Sequence, residues 1–255
     1  MIELSDEIKL SSYHVYLTGS SGTGKTALTI LAILTVASEI ARYPVPFAYR
    51  NIRVIDPKGA SLYSLRYSVP LEGAETFADT PEKALALLQD FYDEIMFRGK
   101  LLDSPDLAMD ADYQTLNLPP CWLFFDEFID LIEQAKTKDK KLANEIQSLL
   151  IRCITKGRQL GCFLWITAMR GDTSYLPGLL RSTMVKLALA NEGHELDPDN
   201  ARMLFGSATN LQRPPMETTY YGYAQGETGK PKLFLTPKIS DETNVRHMLR
   251  YLLRD

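Results

Sequence analysis

A mainly parallel, twisted α/β sheet with helices on both faces is the fold class this sequence predicts. Short apolar runs, rich in β-branched and aromatic residues, alternate with helix-patterned stretches along most of the chain. Strands joined through helices give parallel pairing, with both sheet faces covered. A Gly-rich segment, Gly19 to Thr26 (GSSGTGKT), follows the first such strand and opens the first such helix. That is the carboxyl edge of the sheet, where open α/β folds place their ligands.

Taken in order, residues 13–18 (YHVYLT) read as a strand and residues 25–43 as a helix that Pro44 and Pro46 end. Ile52–Ile55 is a second strand. Thr80 and Pro81 open a helix, one as cap and one in the first turn, and Leu85, Leu88, Tyr92 and Ile95 follow at helical spacing. Residues 101–118 are polar, Asp-rich and without period, which predicts a mobile insertion. Residues 121–125 (CWLFF) form a strand that runs into Asp126 and Glu127. A helix over 141–160 buries Leu142, Ile146, Leu149, Leu150 and Cys153. Strands at 162–167 and 184–190, an aromatic edge strand at 218–223 (TTYYGY) and an amphipathic helix at 241–253 complete the set. The whole chain, 1–255, reads as a single domain.

Composition removes several classes of protein. Apolar residues are 45%, and the net charge is −4 from 28 basic and 32 acidic side chains, so no uniform positive coat attracts nucleic acid. Cys121, Cys153 and Cys162 have no metal-ligand spacing with the three histidines and read as buried free thiols. No run approaches the ~18 apolar residues of a membrane helix, and the acidic start is unlike a signal peptide. These features predict a cytoplasmic location, for the chain by itself or as the cytosolic part of something longer.

Gly19, Ser20, Ser21, Gly22, Thr23, Gly24, Lys25 and Thr26 match GxxxxGK[ST], with Ala27 next on the helix. Glycines let the backbone turn its N–H groups toward an anion, and the helix adds its positive end. Lys25 would meet the β- and γ-phosphates of ATP, and the Thr26 hydroxyl would hold Mg²⁺. Asp126, at the end of an apolar strand, would bind the same Mg²⁺; Glu127 would orient or deprotonate the attacking water.

GSSGTGKT, Ile55-Asp56-Pro57-Lys58, residues 124–131 (FFDEFIDL), Lys156-Gly157-Arg158-Gln159-Leu160-Gly161, Pro177-Gly178-Leu179-Leu180-Arg181 and Arg202-Met203-Leu204-Phe205-Gly206 occur in the order seen in FtsK/SpoIIIE motors. The chain resembles that family over roughly residues 13–240. The resemblance implies a RecA-like P-loop motor of the FtsK–HerA group that forms a ring, usually a hexamer, and moves double-stranded DNA without sequence specificity. It implies a relationship to the transfer or coupling ATPases of mobile elements, and a site at the inner face of the cell membrane beside an anchored partner. Only 18 residues precede Gly19 and the chain stops at Asp255, so the anchor and the winged-helix module of long relatives are expected to be missing. Where the family has a Thr-Gln sensor of the γ-phosphate, counting back from Arg170 gives Ala168 and Met169, with Thr167 one residue earlier.

Ring motors complete the site with an arginine from the neighbouring subunit. Arg158 is the favoured candidate, with Arg170 and Arg181 as rivals. Residues 136–158 carry a charge of +5 and residues 72–112 a charge of −8. The basic stretch would face a phosphate backbone, or be a solvated helix face. The family places its channel loops near 133–141 or 170–178. Two further readings stay open: an ATPase of a protein secretion system, and a weakly hydrolytic, nucleotide-dependent ring scaffold.

Overall fold

The computed structural model describes residues 2–5, 8–10, 13–171, 175–176, 182–206, 211–215, 218–226, 229–237, 239–240 and 242–254. Ten strands and six α-helices are described in it. β1 (Ile2–Ser5) and β2 (Ile8–Leu10) make a small antiparallel pair. β3 (Val15–Thr18), β4 (Ile52–Ile55), β5 (Phe77–Ala78), β6 (Cys121–Phe125), β7 (Cys162–Ala168), β8 (Val185–Asn191), β9 (Tyr220–Gln225) and β10 (Lys232–Leu235) form one sheet in the order β10-β9-β8-β3-β7-β6-β4-β5. From β8 to β5 every pairing is parallel; β9 and β10 add an antiparallel margin. The predicted fold class holds.

The helices are α1 (Lys25–Ile40), α2 (Pro81–Leu102), α3 (Phe128–Lys138), α4 (Lys140–Gly157), α5 (Pro198–Phe205) and α6 (Val245–Leu252). They divide the core. Phe91, Phe125, Phe128, Leu150 and Ile166 belong to the layer under α2, α3 and α4. Leu17, Leu28, Phe124, Trp165 and Leu249 belong to the layer under α1 and α6. Successive residues of β6 and β7 go to opposite layers, which is why CWLFF and CFLWITA are apolar without alternation.

Local choices follow the sequence. Thr80 caps α2 by accepting from the Lys83 amide, with Pro81 in the first turn. Asp139 separates α3 from α4 and caps the latter through the Lys141 amide. The stretch near 133–141, expected as a channel loop, is therefore helical on both sides of a single break. The last helix starts at Val245 rather than 241, with Asn244 as its cap. The Tyr-rich strand is interior, because β10 pairs along its outer side; Tyr221 and Tyr223 are buried, as packing predicts.

The expected insertion at 101–118 contributes its first two residues to α2, and the rest is a turn-rich connection held by Tyr113. The Tyr113 amide donates to Gln159 O, and its buried ring meets Phe163 edge-on at 5.9 Å. A free insertion would not bury an aromatic ring in this way. All three cysteines are buried free thiols. Among the described residues no helix is long and apolar enough to cross a membrane.

Candidate nucleotide site

β3 ends at Thr18, and the chain turns through Gly19–Gly24 into α1. Gly22 (φ 81°) and Gly24 (φ 94°) adopt left-handed conformations that side-chain-bearing residues resist. A Cβ on Gly19 would stand 2.5 Å from Thr23 Oγ1 and 3.1 Å from Leu189 O, so the loop packs tightly against β8. Thr23 Oγ1 donates to Ser20 O at 2.8 Å and closes the turn. Ser20, Ser21 and Gly22 are exposed at its rim; Thr26 and Ala27 stand on the first turn of α1.

Lys25 is buried within this loop. Its Nζ donates to Gly19 O at 2.6 Å and Ser20 O at 3.2 Å, and lies 3.7 Å from Glu127 Oε1. Burial lowers its pKa against the raising effect of the Glu127 and Asp126 charges. Lys58 reaches the same carboxylate oxygen at 3.2 Å. Burial opposes its charge, yet the hydrogen bond and the Glu127 charge leave its pKa raised. Glu127 thus stands between two ammonium groups. It does so from a left-handed conformation, φ 41°, which glutamate adopts at a cost.

β7 fixes the two acids. Thr167 Oγ1 donates to Asp126 Oδ1 at 2.5 Å and accepts from the Glu127 amide at 2.9 Å. One buried hydroxyl therefore sets the carboxylate of one residue and the backbone of the next. Burial raises the pKa of Asp126 despite the bond from Thr167. Thr167 is the hydroxyl at this edge; Ala168, at the position inferred from Arg170, has no polar group, and Met169 is half exposed.

The other expectations separate. Arg158 is far from the loop within its own chain: it caps α4 at the amino end of the sheet and lies 4.2 Å from the centre of the Tyr13 ring. Arg170 follows the carboxyl end of β7, on the loop's own side, where its backbone oxygen accepts from Tyr16 Oη at 3.1 Å. Arg181, with residues 177–180, lies outside the described residues. The basic and acidic stretches are adjacent rather than separate: Lys138 pairs with Glu82 at 3.0 Å, and α2 packs on α4. The solvated-face reading of those charges is the better one.

Two contributors escaped the sequence. Asp56 holds the connection after β4 by accepting from the amides of Lys58, Ala60 and Tyr63 at 3.0–3.1 Å. The IDPK motif signalled that position without its role. Asn191, ending β8, donates from Nδ2 to Gly22 O at 3.0 Å, and nothing local marks a contact across 169 residues.

The donor set suits a magnesium nucleoside triphosphate. Backbone amides, a buried ammonium and the N-terminus of a 16-residue helix face two carboxylates across the end of the sheet. Thr26 and Asp126 would supply the hard oxygens that Mg²⁺ prefers.

No protein-family model matches the chain. It is 27% identical over 228 residues to the FtsK domain-containing protein YdcQ of Bacillus subtilis, covering 88% of this chain and 43% of that protein. Among solved structures, the pCW3 conjugation coupling protein TcpA, a monomer form with ATPγS, matches 95% of this chain and 64% of its own, with TM-score 0.70 and 16% identity. ATPases 2 and 3 of EssC from Geobacillus thermodenitrificans match 95% of this chain and 44% of theirs, with TM-score 0.66 and 18% identity. The chain thus spans less than two thirds of each of these relatives. The resemblance to FtsK/SpoIIIE-type ATPases holds in sequence and in fold.

Proposed function

We propose that this FtsK-like ATPase domain hydrolyses ATP to move double-stranded DNA, as one subunit of a ring. The observation that carries the reading is Glu127: its carboxylate lies 3.7 Å from Lys25 Nζ, and its backbone amide is fixed by Thr167 Oγ1. A loop that only bound nucleotide would not need a strained, oriented acid facing it.

The chemistry follows from these side chains. On nucleotide entry Lys25 exchanges its two carbonyl partners for the β- and γ-phosphates, and the loop amides take the remaining oxygens. Thr26 and Asp126 would hold Mg²⁺, which neutralises phosphoryl charge when bound. Glu127 accepts a proton from the attacking water, or orients it. Lys58 holds Glu127 in place until substrate arrives. Arg158 would serve a neighbour's site, since its own chain keeps it at the far end of the sheet.

DNA as cargo is supported by the motif order and by the likeness to a conjugation coupling protein. Steady-state ATPase assays with and without duplex DNA, titrated with salt, test it. Duplex should raise the rate at low salt, and the stimulation should fade as salt screens phosphate contacts. An ATPase indifferent to duplex under ring-forming conditions would refute DNA as cargo. The likeness in fold to a type VII secretion ATPase favours a second reading, a polypeptide motor. Stimulation by a secretion-signal peptide instead of DNA would select it.

A further inference from the structure

We propose a second, cationic surface outside the nucleotide site: Arg66, Arg246 and Arg250, gathered round Tyr67, bind the phosphodiester backbone of nucleic acid. The inference rests on the DNA reading above and gives it a place on the molecule.

The short 3-10 helix Tyr63–Ser68 and α6 lie side by side. Their contact is built from arginines. The Arg66 guanidinium carbon is 4.0 Å from the centre of the Tyr63 ring and 4.2 Å from that of Tyr67. Arg66 also donates to Tyr63 O at 3.0 Å and to Tyr67 Oη at 2.6 Å. Arg246 comes from α6 to 5.7 Å above the same Tyr67 ring. Arg250, one turn on, donates to Tyr67 O at 2.8 Å. Among the described residues, no carboxylate forms an ion pair with any of the three. Some other arginines are matched: Arg53 with Asp90, Arg98 with Glu94, Arg202 with Asp199. Three guanidinium groups gathered round one tyrosine with no acid paired to them, on a chain of net charge −4, offer a site to an anion from outside.

The geometry favours phosphates along a strand. Arg66 spends two N–H groups and Arg250 one on carbonyl or hydroxyl oxygens, Arg246 lies over the Tyr67 ring, and each keeps other donors of the fork that grips phosphate. Arg246 and Arg250 are four residues apart and share a helix face. Tyr67 and Tyr251 are 58% and 69% exposed beside them, flat surfaces suited to sugar or base rather than to an acidic peptide.

The location also links cargo to chemistry. The connection that carries Arg66 and Tyr67 starts at Asp56 and Lys58. Lys58 holds Glu127 at 3.2 Å, and Asp56 accepts from the Tyr63 amide at 3.0 Å. A strand drawn against Tyr67 would pull on the segment that restrains the catalytic acid.

The test compares the full chain with Arg246→Gln/Arg250→Gln and with Arg66→Gln. Fluorescence anisotropy of a labelled 30-base-pair duplex is read across a salt series, beside ATPase rates with and without that duplex. Removing two phosphate contacts should lower the slope of log K against log salt by roughly 2, and affinity at moderate salt by about tenfold. The single change should lower the slope by about 1. DNA-stimulated hydrolysis should fall with affinity, while the unstimulated rate stays at the parental value. Unchanged slope and affinity in both variants would overturn the assignment and leave the DNA reading intact. Normal DNA binding with a smaller oligomer by light scattering would assign the surface to a second copy and overturn it too. A parental chain that binds no duplex would refute the DNA reading itself, and this surface with it.

Discussion

The two ends of the sheet are built to opposite rules. At the amino end polar groups are paired and rings fill the space. His14 is buried: its Nε2 donates to Ile154 O at 2.9 Å, and its Nδ1 accepts from the Leu164 amide at 3.1 Å. Phe163 packs beside it, with Tyr113 and Trp122 packed on Phe163 in turn. At the carboxyl end Lys25, Asp126 and Glu127 are charges held away from water, one in a strained backbone conformation. Burial lowers the pKa of Lys25 and raises that of Asp126, so the folded chain disfavours the charge on both. One end stabilises the fold; the other gives up stability to be ready for a charged ligand. Substitutions at the two ends should therefore separate stability from activity.

The largest separation is expected at Lys25 and Glu127. Lys25→Ala should abolish ATP binding, and Glu127→Gln should keep binding but cut turnover by about 10³-fold, the scale of losing an essential acid–base group. Melting temperatures should not fall in either case. Nucleotide titrations and phosphate-release assays check both; a Lys25→Ala chain that is intact in activity but unstable would reverse the comparison.

The opposite pattern should follow from Gly161→Ala. A Cβ there would stand 2.3 Å from the Tyr113 ring, at φ +69°. The cost should be about 2–4 kcal/mol in denaturant unfolding, with ATP affinity unchanged.

His14 gives the amino end a pH signature. Burial pulls its pKa down from 6.5 to about 4, against the Ile154 bond. The unfolded chain then binds a proton that the folded chain refuses between those values. Stability is therefore complete above pH 6.5 and falls as pH drops toward 4, by on the order of 3 kcal/mol. In His14→Gln this part of the pH dependence should disappear, while ATP affinity follows its parental profile.

Much of this contrast can be read in the sequence, and its limits have a physical cause. β3, β4, β6 and β7 show themselves because strands covered on both faces need unbroken apolar runs. GSSGTGKT shows itself because neither packing nor propensity explains it. Thr167 was obscured: counting from Arg170 led to Ala168, whereas side-chain direction on β7 and the register with β6 decide which residue meets Asp126. The Asn191–Gly22 and Tyr67–Arg246 contacts join residues 169 and 179 positions apart, and no local pattern encodes such meetings. The charge of 136–158 leaves two readings open in the sequence for the same reason, since its acidic counterpart is distant in sequence and adjacent in space.

The smallest effect belongs to Asp126→Asn. The raised carboxyl pKa means that its ionised form costs stability above that pKa. Removing the charge near neutral pH should raise the melting temperature by roughly 2–4 °C while activity is lost, and the gain should vanish in acid once the parental carboxyl is protonated.

Calorimetric titration of the chain with ATPγS and Mg²⁺, alongside Lys25→Ala and Glu127→Gln, bears most directly on the central claim. One site per chain should bind in the parental protein and in Glu127→Gln, and none in Lys25→Ala. Equal binding by all three, or by none, would contradict a phosphate site made by the 19–26 backbone facing Asp126 and Glu127.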